Sequence, residues 1–216
     1  TTNTIEAPDG ETTADTLTDN NTGGSGAVFL QRTITVSTST NYTFSIFAKK
    51  NTLDYLAIGA VDFTSVDAYS WFNLNNGTLG TAGSGISTSI EDVSNGWYRC
   101  SISFTSDSSD TSGSIRLLLA DTDTDTSVDL DGTSSVYIWG AQLEEQSQPT
   151  SYIATTGSTA TRSADVYTTA TKARSADVCY IDGTAFTDFY NQEQGTILAK
   201  STVANVTDGY IFSLDD

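Results

Sequence analysis

The stretch Asn41–Lys50, NYTFSIFAKK, places Tyr42, Phe44, Ile46 and Ala48 at every second position, with Thr43, Ser45 and Lys49 on the intervening ones. A period of two marks a β-strand, whose successive side chains point to opposite faces of a sheet; a helix would bring apolar residues round every 3.6 positions. The stretch reads as a half-buried strand with one apolar and one polar face. The same alternation runs through Val28–Val36, Tyr55–Val61, Tyr98–Phe104, Ser114–Leu118 and Val136–Leu143, separated by clusters of Gly, Asn, Asp and Ser that supply turns. No segment carries the apolar stripe of an amphipathic helix. Many short strands rich in Thr, Tyr, Phe, Val and Ile predict an all-β fold, an antiparallel sandwich of the jelly-roll type.

Composition narrows the function. At 216 residues the chain has room for one or two domains. Its 9 Lys and Arg stand against 27 Asp and Glu, a net charge of −18. Such a charge repels a phosphate backbone, so neither nucleic acid nor an anionic membrane surface is an expected partner. No apolar run approaches the ~18 residues that span a bilayer, and no membrane insertion is expected. The chain has no histidine, which removes the commonest general base, the Ser-His-Asp triad and the usual zinc ligands together. Its two cysteines, Cys100 and Cys179, are too few for a disulfide framework. In DVSNGWYRCSISF, Asp92–Phe104, a turn at Asn95-Gly96 feeds a strand with Tyr98, Cys100, Ile102 and Phe104 on one face, so Cys100 reads as a small buried hydrophobe. The lack of any methionine and the abrupt end at IFSLDD are expected of a segment from a longer protein.

Three stretches carry candidate chemistry. The run Asp121–Gly132, DTDTDTSVDLDG, alternates carboxylates, yet it is no EF-hand: counted from Asp121, Thr126 stands where the loop needs glycine and Gly132 where it needs a bidentate Glu. A solvated, self-repelling loop is the simpler reading. The alternative, a structural calcium site using some of Asp121, Asp123, Asp125, Asp129 and Asp131, is the one cofactor the sequence offers. In DAYSWFNLNNGTLG, Asp67–Gly80, Tyr69 and Trp71 share a face, and Tyr55 in LDYLAIGAV has a similar setting. Cross-strand core packing is the commoner role for such rings; stacking on a sugar is the functional alternative. Glu91-Asp92 and Glu144-Glu145 are adjacent on strands and point to opposite faces, so neither pair forms a two-carboxylate glycosidase site, and no enzymatic activity is expected. VYIWGAQLEEQSQPTSYI, Val136–Ile153, reads as a closing strand in which Trp139 seals the core, Gly140 bulges, and Glu144, Glu145 and Pro149 form a charged exit.

Beyond Pro149 the chain turns polar and repetitive, with RSADV at 162–166 and again at 174–178, before strand-like runs resume near Gly195. APDGETTADTLTD (7–19), YTFSIFAKK (42–50), WFNLNNGTLGT (71–81), VSNGWYRCSISF (93–104), YIWGAQLEE (137–145) and PTSYIATTGSTATRSADV (149–166) occur in that order. Together they resemble the carbohydrate-binding-like jelly-roll domain of phage tail, fibre and other virion proteins. FTDFYNQEQGTILAK (186–200) and DGYIFSLDD (208–216) resemble the opening strands of a concanavalin A-like, laminin-G-type lectin sandwich. The resemblance implies a jelly-roll domain over 1–153, a linker over 154–185 holding the doubled RSADV, and the incomplete start of a second β-sandwich over 186–216. It also implies a homotrimeric component of a virion tail fibre or other surface appendage, in contact with other virion proteins and presenting sandwich faces to a host surface glycan; the candidates for that contact, Tyr55, Tyr69 and Trp71, come from the aromatic pattern above. Two other roles fit the same residues: an architectural spacer or capsid decoration that binds no sugar, and an accessory module of a polysaccharide depolymerase.

Overall fold

The alternating segments become strands in the computed structural model, which describes residues 2–20, 23–155 and 159. Among the described residues there is no helix. In chain order the strands are β1 (Asp15–Thr18), β2 (Ser25–Gly26), β3 (Phe29–Thr35), β4 (Asn41–Lys50), β5 (Tyr55–Val61), β6 (Ala68–Asn73), β7 (Thr78–Leu79), β8 (Ser87–Asp92), β9 (Trp97–Thr105), β10 (Ser112–Ala120), β11 (Val128–Asp129) and β12 (Ser135–Glu144). They build two five-stranded antiparallel sheets, one ordered β1-β12-β4-β9-β8 and the other β3-β10-β5-β6-β7, with a short β11-β2 ribbon beside them. Neighbours such as β4 and β9, or β3 and β10, are far apart in sequence, so each sheet is closed by crossovers between the two.

The sheets pack face to face. Tyr42, Phe44, Ile46 and Ala48 of β4, with Cys100, Ile102 and Phe104 of β9, meet Leu56, Ile58 and Ala60 of β5, Phe72 of β6, and Ile115, Leu117 and Leu119 of β10 in one buried cluster. The side chains that the alternation assigns to one face of each strand therefore form the core between the sheets. Cys100 is fully buried within it, and burial pushes its thiol far above the ordinary range. Asn95 and Gly96 make their turn with positive φ values of 55° and 77°.

Two expectations need correction. The second face of β4 is not a solvent face, since Thr43 and Ser45 are also fully buried. The chain beyond β12 folds back over them: Thr43 Oγ1 donates to the carbonyl of Gln146 at 2.8 Å, and the Glu144 carboxylate accepts from the backbone N–H of Thr150 at 3.0 Å and from the Thr150 hydroxyl. Trp139 does not seal the core either. Val136 and Ile138 take that side of β12, while Trp139 lies on the outer face of the sheet against Phe47 and Tyr152, with ring centroids 5.2 and 4.6 Å away. Its indole donates to Thr13 Oγ1 at 3.0 Å, and Trp97 donates to the Glu6 carbonyl at 3.2 Å, so the N-terminal segment also covers this face. Gly140 bulges as expected, at φ +63° in the register break between Trp139 and Gln142.

The described residues belong to one compact unit, Thr1–Thr161. The RSADV repeat and the second-sandwich strands expected over 186–216 lie outside the described residues, as does Cys179.

One loop end is fixed by a buried carboxylate. Asp110, 5% exposed, accepts from the backbone N–H groups of Thr64 and Asp107, each at 2.8 Å, and so ties the β5–β6 connection to the β9–β10 turn. Hydrogen bonds, that from the Thr64 side chain foremost and those from the backbone N–H groups after it, hold its carboxyl down to about 2 against the opposing effect of desolvation. A carboxyl depressed in the folded state stabilises the fold above its unfolded pKa of about 4 and loses that contribution as pH falls toward the folded value. Thermal melts between pH 4 and 2 are expected to show a steeper fall for the native chain than for Asp110→Asn, with the variant already less stable at neutral pH.

Candidate functional site

Both outer faces carry aromatic rings, but those of the second sheet, Tyr55, Tyr69 and Trp71, are not covered by the described terminal segments that hold the first sheet's rings. Along β5 the outward positions after Tyr55 are Ala57 and Gly59, both small. Their partners on β6 are Trp71 and Tyr69, and Tyr55 is paired with Asn73. The missing Cβ of Gly59 is what lets the Tyr69 ring lie across the sheet, because a Cβ there would stand 2.6 Å from Tyr69 Cε1. Leu118 and Ala120 of β10 complete the floor beneath these rings.

The three expected site residues are thus brought to one face. Tyr69 and Trp71 are neighbours, with ring centroids 6.3 Å apart. Tyr55 uses its hydroxyl to accept from Asn73 Nδ2 at 2.9 Å. They are not equally open: Tyr55 and Tyr69 are half-buried, whereas Trp71 is only 9% exposed. Its indole N–H donates to the Asp125 carbonyl at 2.7 Å, so the acidic loop lies over it. The expectation of cross-strand packing describes Trp71, which is buried with Ala57, Leu118 and Ala120 in a cluster apart from the main core, with Tyr55 and Tyr69 packed at its edge.

The sequence did not point to Arg116, Gln31 and Phe29, which extend the platform. Arg116 of β10 faces Gly59 on one side and Gln31 of β3 on the other. Its Nη1 donates to the Tyr69 hydroxyl at 3.0 Å, its Nε donates to Gln31 Oε1 at 2.7 Å, and its Nη2 lies 3.8 Å from Asp62. The guanidinium also sits over the ring of Phe29, 4.9 Å from the centroid. The hydrogen bond to Tyr69, and then the nearby Asp62 and Asp67 charges, raise the Arg116 pKa further. Phe29 is 46% exposed. The only sequence signal for this extension was that Phe29 and Gln31 share one face of an alternating strand; the register that sets them beside Arg116 joins segments 85 residues apart.

The acidic loop spends its carboxylates separately. Asp123 accepts from Thr81, at 2.8 Å from its backbone N–H and 2.9 Å from its hydroxyl. Asp125 accepts from the N–H and hydroxyl of Ser127, and Asp131 from those of Thr133. Asp129 lies in β11, and Asp121 is raised in pKa by desolvation and by repulsion from Asp125, Asp129 and Asp131. Among the described residues no group of three or more His, Cys, Asp or Glu side chains is placed to hold a metal ion. Two clefts, of about 320 and 250 Å³, lie elsewhere, one beside Lys49, Ser94 and Trp97 and the other beside Asn41, Ser103 and Gln148. Neither includes a ring of the platform, and the larger is lined mainly by turn and N-terminal residues, so concavity alone does not mark the site.

No protein-family model matches the chain, and no curated protein matches it.

Gly59→Ala tests the platform's construction. The added methyl meets the Tyr69 ring, and overpacking of this kind costs about 1–3 kcal/mol. Denaturant unfolding is expected to show that loss, and Gly59→Ala combined with Tyr69→Ala is expected to recover some of it because the obstructing ring is gone.

Proposed function

We propose that this chain is a glycan-binding β-sandwich module, of jelly-roll type, carried by a tail fibre or other appendage of a phage virion for attachment to the host surface. The observation that carries the reading is the Tyr69 ring laid over Gly59 and held at its hydroxyl by Arg116. A flat ring with its edge fixed and hydrogen-bonding groups beside it is what a sugar needs: C–H groups on one ring face stack on the aromatic, and hydroxyls find donors and acceptors at the rim. The sequence resemblance supports the virion setting, its homotrimeric assembly and its contacts with other virion proteins. Arrayed copies would turn weak single-site binding into firm attachment through effective concentration.

A spacer role is the second reading, and the capping of Trp71 by Asp125 favours it, since that ring is presented to the protein's own loop. A glycan array with the native chain and Tyr69→Ala separates the two. The binding reading expects hits whose affinity falls at least tenfold in the variant, about 1.4 kcal/mol, with a cooperative thermal melt showing that the variant stays folded. Equal silence of both proteins supports the spacer.

A further inference from the structure

We infer that the platform takes an uncharged oligosaccharide laid across the strands, from Tyr69 to Phe29. This rests on the glycan-binding reading above and adds the length, direction and charge class of the ligand. The row Tyr69, Gly59, Arg116, Gln31 crosses four adjacent strands in register, β6, β5, β10 and β3. At a strand spacing of about 4.8 Å it covers ~14 Å, long enough for several linked sugar units and too long for a single ring. Phe29 stands beside Gln31 on β3 and is half-exposed, so the row has an aromatic face at each end and a guanidinium between them.

The charge class follows from how Arg116 is already engaged. It is the one cation of the row. Nε is given to Gln31, Nη1 to Tyr69, and Nη2 faces the carboxylate of Asp62. Asp67 adds a second negative charge near the guanidinium, and Asp123 stands at the other side of the platform, bonded to Thr81 beside Trp71. A uronate or sulfated sugar would bring a further anion to a cation that has its counter-charges, on a chain of net charge −18. Neutral hydroxyls meet no such opposition. They can accept from the N–H groups Arg116 retains, donate to Asp62, and leave the C–H faces of the sugars to the two rings.

The test uses the full chain and titrates, at low and high salt, neutral glucan, mannan and galactan oligosaccharides of increasing length against alginate, polygalacturonate and dextran sulfate. The expected result is binding to a neutral series, insensitive to salt and strengthening with length, at least tenfold tighter than to any polyanion. Phe29→Ala is expected to weaken the longer oligosaccharides about tenfold and the shortest much less, because it removes the far end of the row and touches the Tyr69 end only through Arg116. Tighter binding of a polyanion, weakened by salt, overturns the charge class while the platform stands. Equal loss at all lengths in Phe29→Ala, or no loss at any, overturns the direction. If no saccharide binds and Tyr69→Ala is indistinguishable from the native chain, the platform reading itself fails and the inference falls with it.

Discussion

Strand β4 is buried on both faces, and the arrangement of the molecule follows from that. From Tyr42 to Ala48 no side chain is exposed. One face supplies Tyr42, Phe44, Ile46 and Ala48 to the core between the sheets, and the other supplies Phe47 to a second apolar cluster with Ala7, Ala14 and Trp97. A sheet whose central strand is apolar on one face needs a single partner layer; one with a large ring on the other face needs that side covered too. The N-terminal segment and the segment after Glu144 supply the cover, through Trp97 to Glu6, Trp139 to Thr13 and Thr43 to Gln146. Among the described residues both terminal segments are thereby committed to the first sheet, and the outer face of the second carries the rings and Arg116.

That division gives the two outer faces different chemistry. On the first sheet Arg99 is drawn in, donating to Ser45 Oγ at 2.9 Å and lying 5.4 Å from the Phe47 ring centroid, with its Nε unpartnered. On the second sheet Arg116 keeps to the surface and is held by neutral groups on two neighbouring strands. Both arginines are half-buried, but the first is turned to the protein's own Ser45 and Phe47, and the second bridges Tyr69 and Gln31 within the platform. The small residues of β5 make the difference possible. Ala57 and Gly59 leave room for rings to lie along the sheet, whereas larger side chains there would stand them upright.

Much of the fold was legible because a strand has only two sides. The alternation in Asn41–Lys50, and again in Tyr98–Phe104, sorted core from non-core side chains correctly. It could not say what the other side meets. Thr43, Ser45 and Trp139 were placed wrongly for that reason: polarity and period are local, while the segments that cover them are far along the chain, Gln146 being 103 residues from Thr43 and Thr13 being 126 from Trp139. The candidate site divides the same way. Tyr69 and Trp71, two residues apart, announced a shared face; Gly59, Arg116, Gln31 and Phe29 join it only through strand register, which no single stretch contains. In the acidic run Asp123, Asp125 and Asp131 each accept from a different serine or threonine, partners that alternation of charge in the sequence does not indicate.

The pairing of β1 with β12 has a mechanical consequence. The register runs Asp15 to Ile138 through Thr18 to Ser135, so the end at which the chain enters β1 lies beside the stretch of β12 that leads on to Glu144. A pull applied between these two ends acts across the ladder rather than along it. Hydrogen bonds loaded in that direction break in succession, like a zip, whereas bonds loaded along the strands must slide together. Under tension the contacts of the terminal segments, such as Glu6 with Trp97 and Thr13 with Trp139, and then the four paired residues of β1 yield, and the core between β4, β5, β9 and β10 carries little load until that edge has opened.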